Sequence, residues 1–169
     1  MLESLPSEES LSLRAVAREA GVSAPSIYLH FPDKGALVSA VLATRFAELE
    51  RALTLSAAGA PSPAAELRAR CEAYCAYAEQ NPGNYRVMFA AVPSDDRPED
   101  AVPGTEMVRR LGELAIRAGA TGEPLRVGTL LWCGLHGIVA LRESKPLFPW
   151  PARDELVALL IGSVTGRRE

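Results

Sequence analysis

Several chemistries are excluded by what this chain does not contain. It has no glycine-rich phosphate loop and no G-x-S-x-G elbow, and its 169 residues include only two histidines, His30 and His136. The usual nucleophile and general-base constellations therefore have no residues to assemble from, and no enzymatic activity is expected. Three cysteines cannot all pair within one chain, and reduced thiols suit a cytoplasmic location. Cys71 and Cys75 stand i, i+4 and would need His136 to make even three soft ligands, so neither a metal nor a cofactor is expected. Met1 to Ser10 is acidic and lacks the apolar segment of a signal peptide. The most apolar run, Val127 to Leu141, is fifteen residues between Arg126 and Arg142, short of the ~20 that cross a bilayer. No run alternates strictly between apolar and polar residues, so strands are not expected. An excess of positive charge is also missing. The formal charge is −3, and Met1 to Leu55 carries five basic against seven acidic residues, which argues against nonspecific coating of nucleic acid.

The chain is 48% hydrophobic, ample for a buried core, and most of its 13 glycines and 13 prolines fall between helical patterns. An all-α protein follows. Leu13, Val16, Ala17 and Ala20 recur at i, i+3, i+4 and i+7 and make one helix face apolar, leaving Arg14, Arg18 and Glu19 outward. Gly21 stands where that period stops, as a residue able to take positive φ should. Ser23 then caps a second helix anchored by Val22, Ile27 and Phe31, with Pro25 tolerated only in its first turn. Ser23, Ala24, Pro25, Ser26, Tyr28 and His30 are left without a core role. Pro32 ends that helix, and Asp33 caps a third one beginning at Lys34. Two short helices around a glycine turn make a helix-turn-helix, whose second helix can enter a major groove. Glycine-turned helical hairpins also occur in proteins that never touch DNA.

The stretch AVAREAGVSAPSIYLHFPDKGALVSAVL, with Ala20-Gly21-Val22-Ser23, Ile27-Tyr28, His30-Phe31 and Lys34 in order, resembles the DNA-binding signature of the TetR family of transcriptional repressors. The resemblance covers roughly Leu11 to Leu53. It implies that Ser12, Ser23, Tyr28, His30 and Lys34 touch backbone phosphates and that Ala24, Pro25 and Ser26 lie nearest base edges. The side chains suit those roles: hydroxyls, a phenol, an imidazole and an ammonium are phosphate donors that fix register, while small groups can meet a thymine methyl. No Arg, Asn or Gln projects from the second helix for a bidentate base contact, so specificity should lean on apolar contacts, water and DNA shape. Taken singly, Tyr28 and His30 would equally suit ordinary structural roles. The resemblance also implies a long helix before the motif. Only Met1 to Leu5 could supply it here, so the expectation is a first helix nearly absent and motif helices poorly supported.

Val38, Leu42, Phe46, Leu49 and Leu53 extend the third helix to the small-residue break at 56–63, which divides a DNA-binding domain, 1–55, from a helical regulatory and dimerisation domain, 56–169. Downstream, helices are expected over about 64–80, 84–91, 104–118, 124–144 and from about Asp154, with a mobile acidic loop over 93–103. The helix over 124–144 is apolar nearly all round and must be buried on more than one side. Gly128, Gly134 and Gly137 would let another backbone approach, and a second chain is expected to cover part of it in a two-fold four-helix interface. Asn81-Pro82, Tyr85-Arg86, Met88-Phe89 and Trp132-x-x-x-His136-Gly137 together resemble the regulatory domain of a TetR subgroup named for its Trp-His-Gly residues. That resemblance implies a dimerising domain that receives a ligand. Trp132 and His136 share a helix face, and with Tyr74, Tyr85, Met88, Phe89 and Cys133 could line an apolar pocket holding a few polar groups. A core containing one hydrogen-bonded histidine is the plainer reading. The expected protein is a homodimeric, small-molecule-responsive repressor on a pseudo-palindromic duplex. Its rival is a helical small-molecule- or protein-binding dimer with a non-functional DNA motif.

Overall fold

The computed structural model describes residues 13–90 and 102–166, and among these every regular element is a helix. In chain order they are α1 Leu13–Glu19, α2 Ala24–His30, α3 Lys34–Ser56, α4 Pro63–Gln80, α5 Pro82–Ala90, α6 Thr105–Arg117, α7 Pro124–Ser144 and α8 Arg153–Thr165. Met1 to Leu5, the residues left for the nearly absent first helix, and most of the acidic loop lie outside the described residues.

Local chemistry sets the first three helices. Gly21 takes φ 68°, a conformation that costs a residue with a Cβ, and so turns the chain between α1 and α2. The Ser26 amide donates to Ser23 Oγ at 3.3 Å and the Ala36 amide donates to Asp33 Oδ1 at 2.7 Å, so both expected caps are in place. Leu13, Ala17 and Ile27 form a small core, with Val16, Ala24, Phe31 and Leu37 packed around it. Two expected members are outside it. Ala20 is exposed in the turn and Val22 is 47% exposed, because the α1 pattern ends at Glu19 and the chain reverses before Val22 can point inward.

A second, larger core begins at Phe46 on the same helix. It gathers Leu49 and Leu53 of α3, Leu67, Cys71, Tyr74, Cys75 and Ala78 of α4, Tyr85 and Met88 of α5, and the inward faces of α6, α7 and α8. The small-residue break is the α3–α4 turn, yet Phe46, Leu49 and Leu53, which precede it in the chain, pack with the helices beyond it. The 23-residue α3 therefore enters both cores, spanning ~34 Å at 1.5 Å per residue.

Helices α6 and α7 cross at backbone contact. A Cβ on Gly112 would overlap the Pro124 carbonyl oxygen, and one on Gly128 the Val108 carbonyl oxygen. The three glycines of α7 thus do different work: Gly128 admits α6, Gly134 admits the Leu160 side chain of α8, and Gly137 faces open space. At 21 residues α7 is long and apolar enough to cross a membrane, longer than the apolar run read from sequence. Here its Val127, Leu131, Leu135 and Val139 are buried in the shared core.

Gly112→Ala should lower stability by ~1–3 kcal/mol or more, since a carbonyl cannot rotate aside as a side chain can. Gly137→Ala should hold or raise it, by up to ~1 kcal/mol of helix propensity. Urea denaturation of the two variants checks the contrast.

Candidate nucleic-acid interface and candidate ligand site

Helix α2 presents one continuous exposed face. Ile27 is turned into the small core, which leaves Pro25, Ser26, Tyr28, Leu29 and His30 in solvent. Tyr28 is 49% and Leu29 85% exposed. Of the residues singled out from sequence, Ser23, Pro25, Ser26, Tyr28 and His30 share this end of the molecule, and Lys34 follows as the first residue of α3. Ala24 is half-buried and packs on the small core, so its methyl is less available than those of its neighbours. The Ser26 hydroxyl is within 2.8 Å of Ser23 Oγ. Ser12 lies outside the described residues. Sequence reasoning passed over Leu29. Its signal was that it falls outside the Ile27–Phe31 spacing that meets the core, and an apolar residue left over in that way has no packing role. Arg14 and Arg18 are also exposed, on α1.

The second constellation sits where α4, α5 and α7 meet. Tyr74 and Tyr85 hydroxyls are 2.9 Å apart, and Tyr85 Oη lies 2.8 Å from His136 Nδ1. Phe89 fills the centre: its ring is 4.2 Å from His136, 4.7 Å from Tyr85 and 5.7 Å from Trp132 between centroids. Its far side meets Phe46 of α3 edge-on at 6.4 Å. Met88 is buried in the same core, whereas Cys133 is exposed, about 100° of helical turn round α7 from Trp132. The residues expected to line a pocket therefore converge, Cys133 excepted, as a packed aromatic group. An open cleft of about 280 Å³ lies beside it, lined by Val102, Pro103, Val108, Leu125, Thr129 and Trp132 among others, so Trp132 is common to both.

Burial governs the titration of these groups. It pushes the Tyr74 hydroxyl far up, with the Trp132 indole N–H pulling weakly the other way, and it raises Tyr85 as well. Trp132 Nε1 is close enough to Tyr74 to be felt, yet it is buried with no hydrogen-bond partner among the described residues. The Cys71 and Cys75 thiols are raised to about 12 and about 11, mainly by burial, and are poor thiolates. Among the described residues no group of three His, Cys, Asp or Glu side chains could hold a metal ion.

Comparison with known proteins agrees with this arrangement. The family described as "Bacterial regulatory proteins, tetR family" matches residues 9–41, and "Tetracyclin repressor-like, C-terminal domain" matches residues 67–164, more than half of the chain. The chain belongs to the TetR family. A protein of unknown function from Rhodococcus sp. RHA1 is similar at 26% identity and TM-score 0.68, over 95% of this chain and 86% of its own. A structure described as a tetR family transcription regulator from Shewanella sp. PV-4 matches at 18% identity and TM-score 0.73, over 92% and 87%. The TetR family regulator PfmR from Thermus thermophilus matches at 19% identity and TM-score 0.57, over 95% and 91%. At the last two identities the likeness is one of fold. No curated protein matches the chain. This TetR-family chain thus has the transcription-regulator fold, with a helix-turn-helix followed by a helical C-terminal domain.

Burial lowers the His136 pKa from its ordinary 6.5. The unfolded chain then binds the proton first on acidification, so the stability His136 provides is present above about pH 6.5 and lost as pH falls towards the folded value. Wild type should lose more stability than His136→Phe between about pH 7.5 and about pH 5.5, as read by denaturant unfolding at both.

Proposed function

We propose that the chain is a dimeric transcriptional repressor that leaves a pseudo-palindromic operator when a small molecule binds its C-terminal domain, here taken as 56–169 and of the Trp-His-Gly type. The observation that carries this reading is α3 itself. Its first residue adjoins the exposed face of α2, and its Phe46 touches the aromatic group around Phe89. A molecule displacing Phe89 would push directly on the helix that bears the reading head. Its effect on DNA affinity must be reciprocal, with operator weakening effector binding by the same factor.

Tyr28, His30, Lys34, Ser23 and Ser12 take the phosphates in this reading, and Pro25, Ser26 and Ala24 face base edges, joined by Leu29. Two such heads would meet successive major grooves ~34–36 Å apart. The dimer seats on the remaining face of α7 and α8, where Leu130, Cys133, Leu141 and Leu159 are exposed. The protein works in the cytoplasm, without cofactor and without catalysis. One observation favours the rival reading, a ligand- or protein-binding dimer that ignores DNA: the motif's own core has only three buried side chains among the described residues.

Duplexes selected from a random pool at low salt test the proposal. Tyr28→Phe and Lys34→Ala should weaken binding on every selected sequence alike, Lys34→Ala reducing the log–log salt slope by about one per protomer. Leu29→Ser should instead reorder the sequences. Leu141→Glu combined with Leu159→Glu should give a monomer by sedimentation and abolish binding. A wild-type protein that sediments as a monomer at micromolar concentration, or binds no duplex, overturns the reading.

A further inference from the structure

The chain of polar groups through the aromatic cluster has a direction. Trp132 Nε1 only donates, each tyrosine hydroxyl donates one proton, and a neutral imidazole accepts at Nδ1 only when its proton is on Nε2. If Nδ1 accepts, Tyr85 donates to it and Tyr74 donates to Tyr85, so both hydroxyl protons are hydrogen-bonded. If Nδ1 carries the proton, both hydroxyls must reverse. The Tyr74 hydroxyl, which has no other partner among the described residues, is then left without an acceptor for its proton at a buried position.

The outward edge of His136 is consequently a donor. The ring is half-buried, and Nε2 has no protein partner among the described residues. Leu125, Thr129, Trp132 and His136 follow one another at four, three and four residues, so they lie on one face of α7. The cleft's lining on α7 ends at Trp132, and Phe89 packs between Trp132 and the His136 ring, so a ligand in the cleft reaches that ring by displacing Phe89. The Thr129 hydroxyl donates to the Leu125 carbonyl at 2.7 Å, and Arg109, at the rim, is held by Glu106 at 2.7 Å. Val102, Pro103, Val108, Leu125 and Trp132 make most of the cleft wall and the charge of Arg109 is paired with Glu106, which suits an uncharged ligand.

Resting on the reading of this region as the effector site, we propose that the tyrosine relay locks His136 as the Nε2–H tautomer, so that the site selects a neutral, flat, apolar effector carrying a carbonyl acceptor. Such a molecule lies along Trp132 in the cleft and accepts the Nε2 proton of His136.

The test uses the full chain, ¹⁵N-labelled, in which His30→Asn assigns the two imidazoles. At neutral pH the His136 ring nitrogens should report protonated Nε2 and bare Nδ1, and Tyr85→Phe should give a tautomer mixture. Acetophenone and ethylbenzene, alike in shape and differing in the carbonyl, are then titrated while the His136 and Trp132 resonances are followed. Acetophenone should bind ~3–10-fold tighter, the worth of one ordinary hydrogen bond, and the ratio should fall to about one in His136→Phe. A protonated Nδ1, equal affinities in the wild type, or a preference surviving in His136→Phe overturns the proposal. Equal binding leaves the effector site standing and removes only its donor character. Failure of both probes to move either resonance removes the site and the proposal together.

Discussion

Helix α3 is held at its two ends by two separate cores, and the rest of the molecule is arranged around that fact. At its start Leu37 packs with the residues of α1 and α2, and from Phe46 onward it is part of a much larger interior. An unbroken helix kinks sharply only where hydrogen bonds of its ladder are opened or distorted. Displacement of its far end is therefore felt at the near one. The two anchors are unequal. Among the described residues, three buried side chains hold the reading head, while twenty-two make the other core. The small module borrows its stability through the shared helix, and sub-global opening should begin there.

The larger core is organised by two contacts of opposite kind. Where α6 meets α7, Gly112 and Gly128 bring backbones together with no side chains between them. That places α7 so that its Trp132 and His136 face α4 and α5. There the packing is aromatic, and a line of hydrogen bonds is buried inside it. Buried polar lines are costly unless each member is satisfied. This one runs from His136 Nδ1 through Tyr85 to Tyr74, and the Trp132 indole beside it has no partner among the described residues.

Much of the reading head was legible in the sequence because its determinants are local. A serine, a glycine and an aspartate act on amides within three residues of themselves, so Ser23, Gly21 and Asp33 could be assigned without knowing which residues pack on them. Ala20 and Val22 were misjudged for the complementary reason: periodicity continues on paper past the point where the chain has already turned. Leu29 was passed over because its exposure depends on which side of α2 meets the core. In α7 the pattern indicated burial on more than one side, but of three glycines that look alike in sequence one meets a backbone, one a side chain and one open space, and Cys133 is exposed.

The all-helical class and most helix boundaries were determined by the sequence alone, since caps, turns and a 3.6-residue period are properties of short stretches. Only the tertiary structure decided that Phe89 fills the space between Trp132 and His136, that Tyr85 reaches the histidine from α5, and that Phe46 ties this group to the reading helix. These contacts join helices far apart in the chain, and they depend on how those helices cross, which is set by steric fit between whole faces rather than by any residue's own preference.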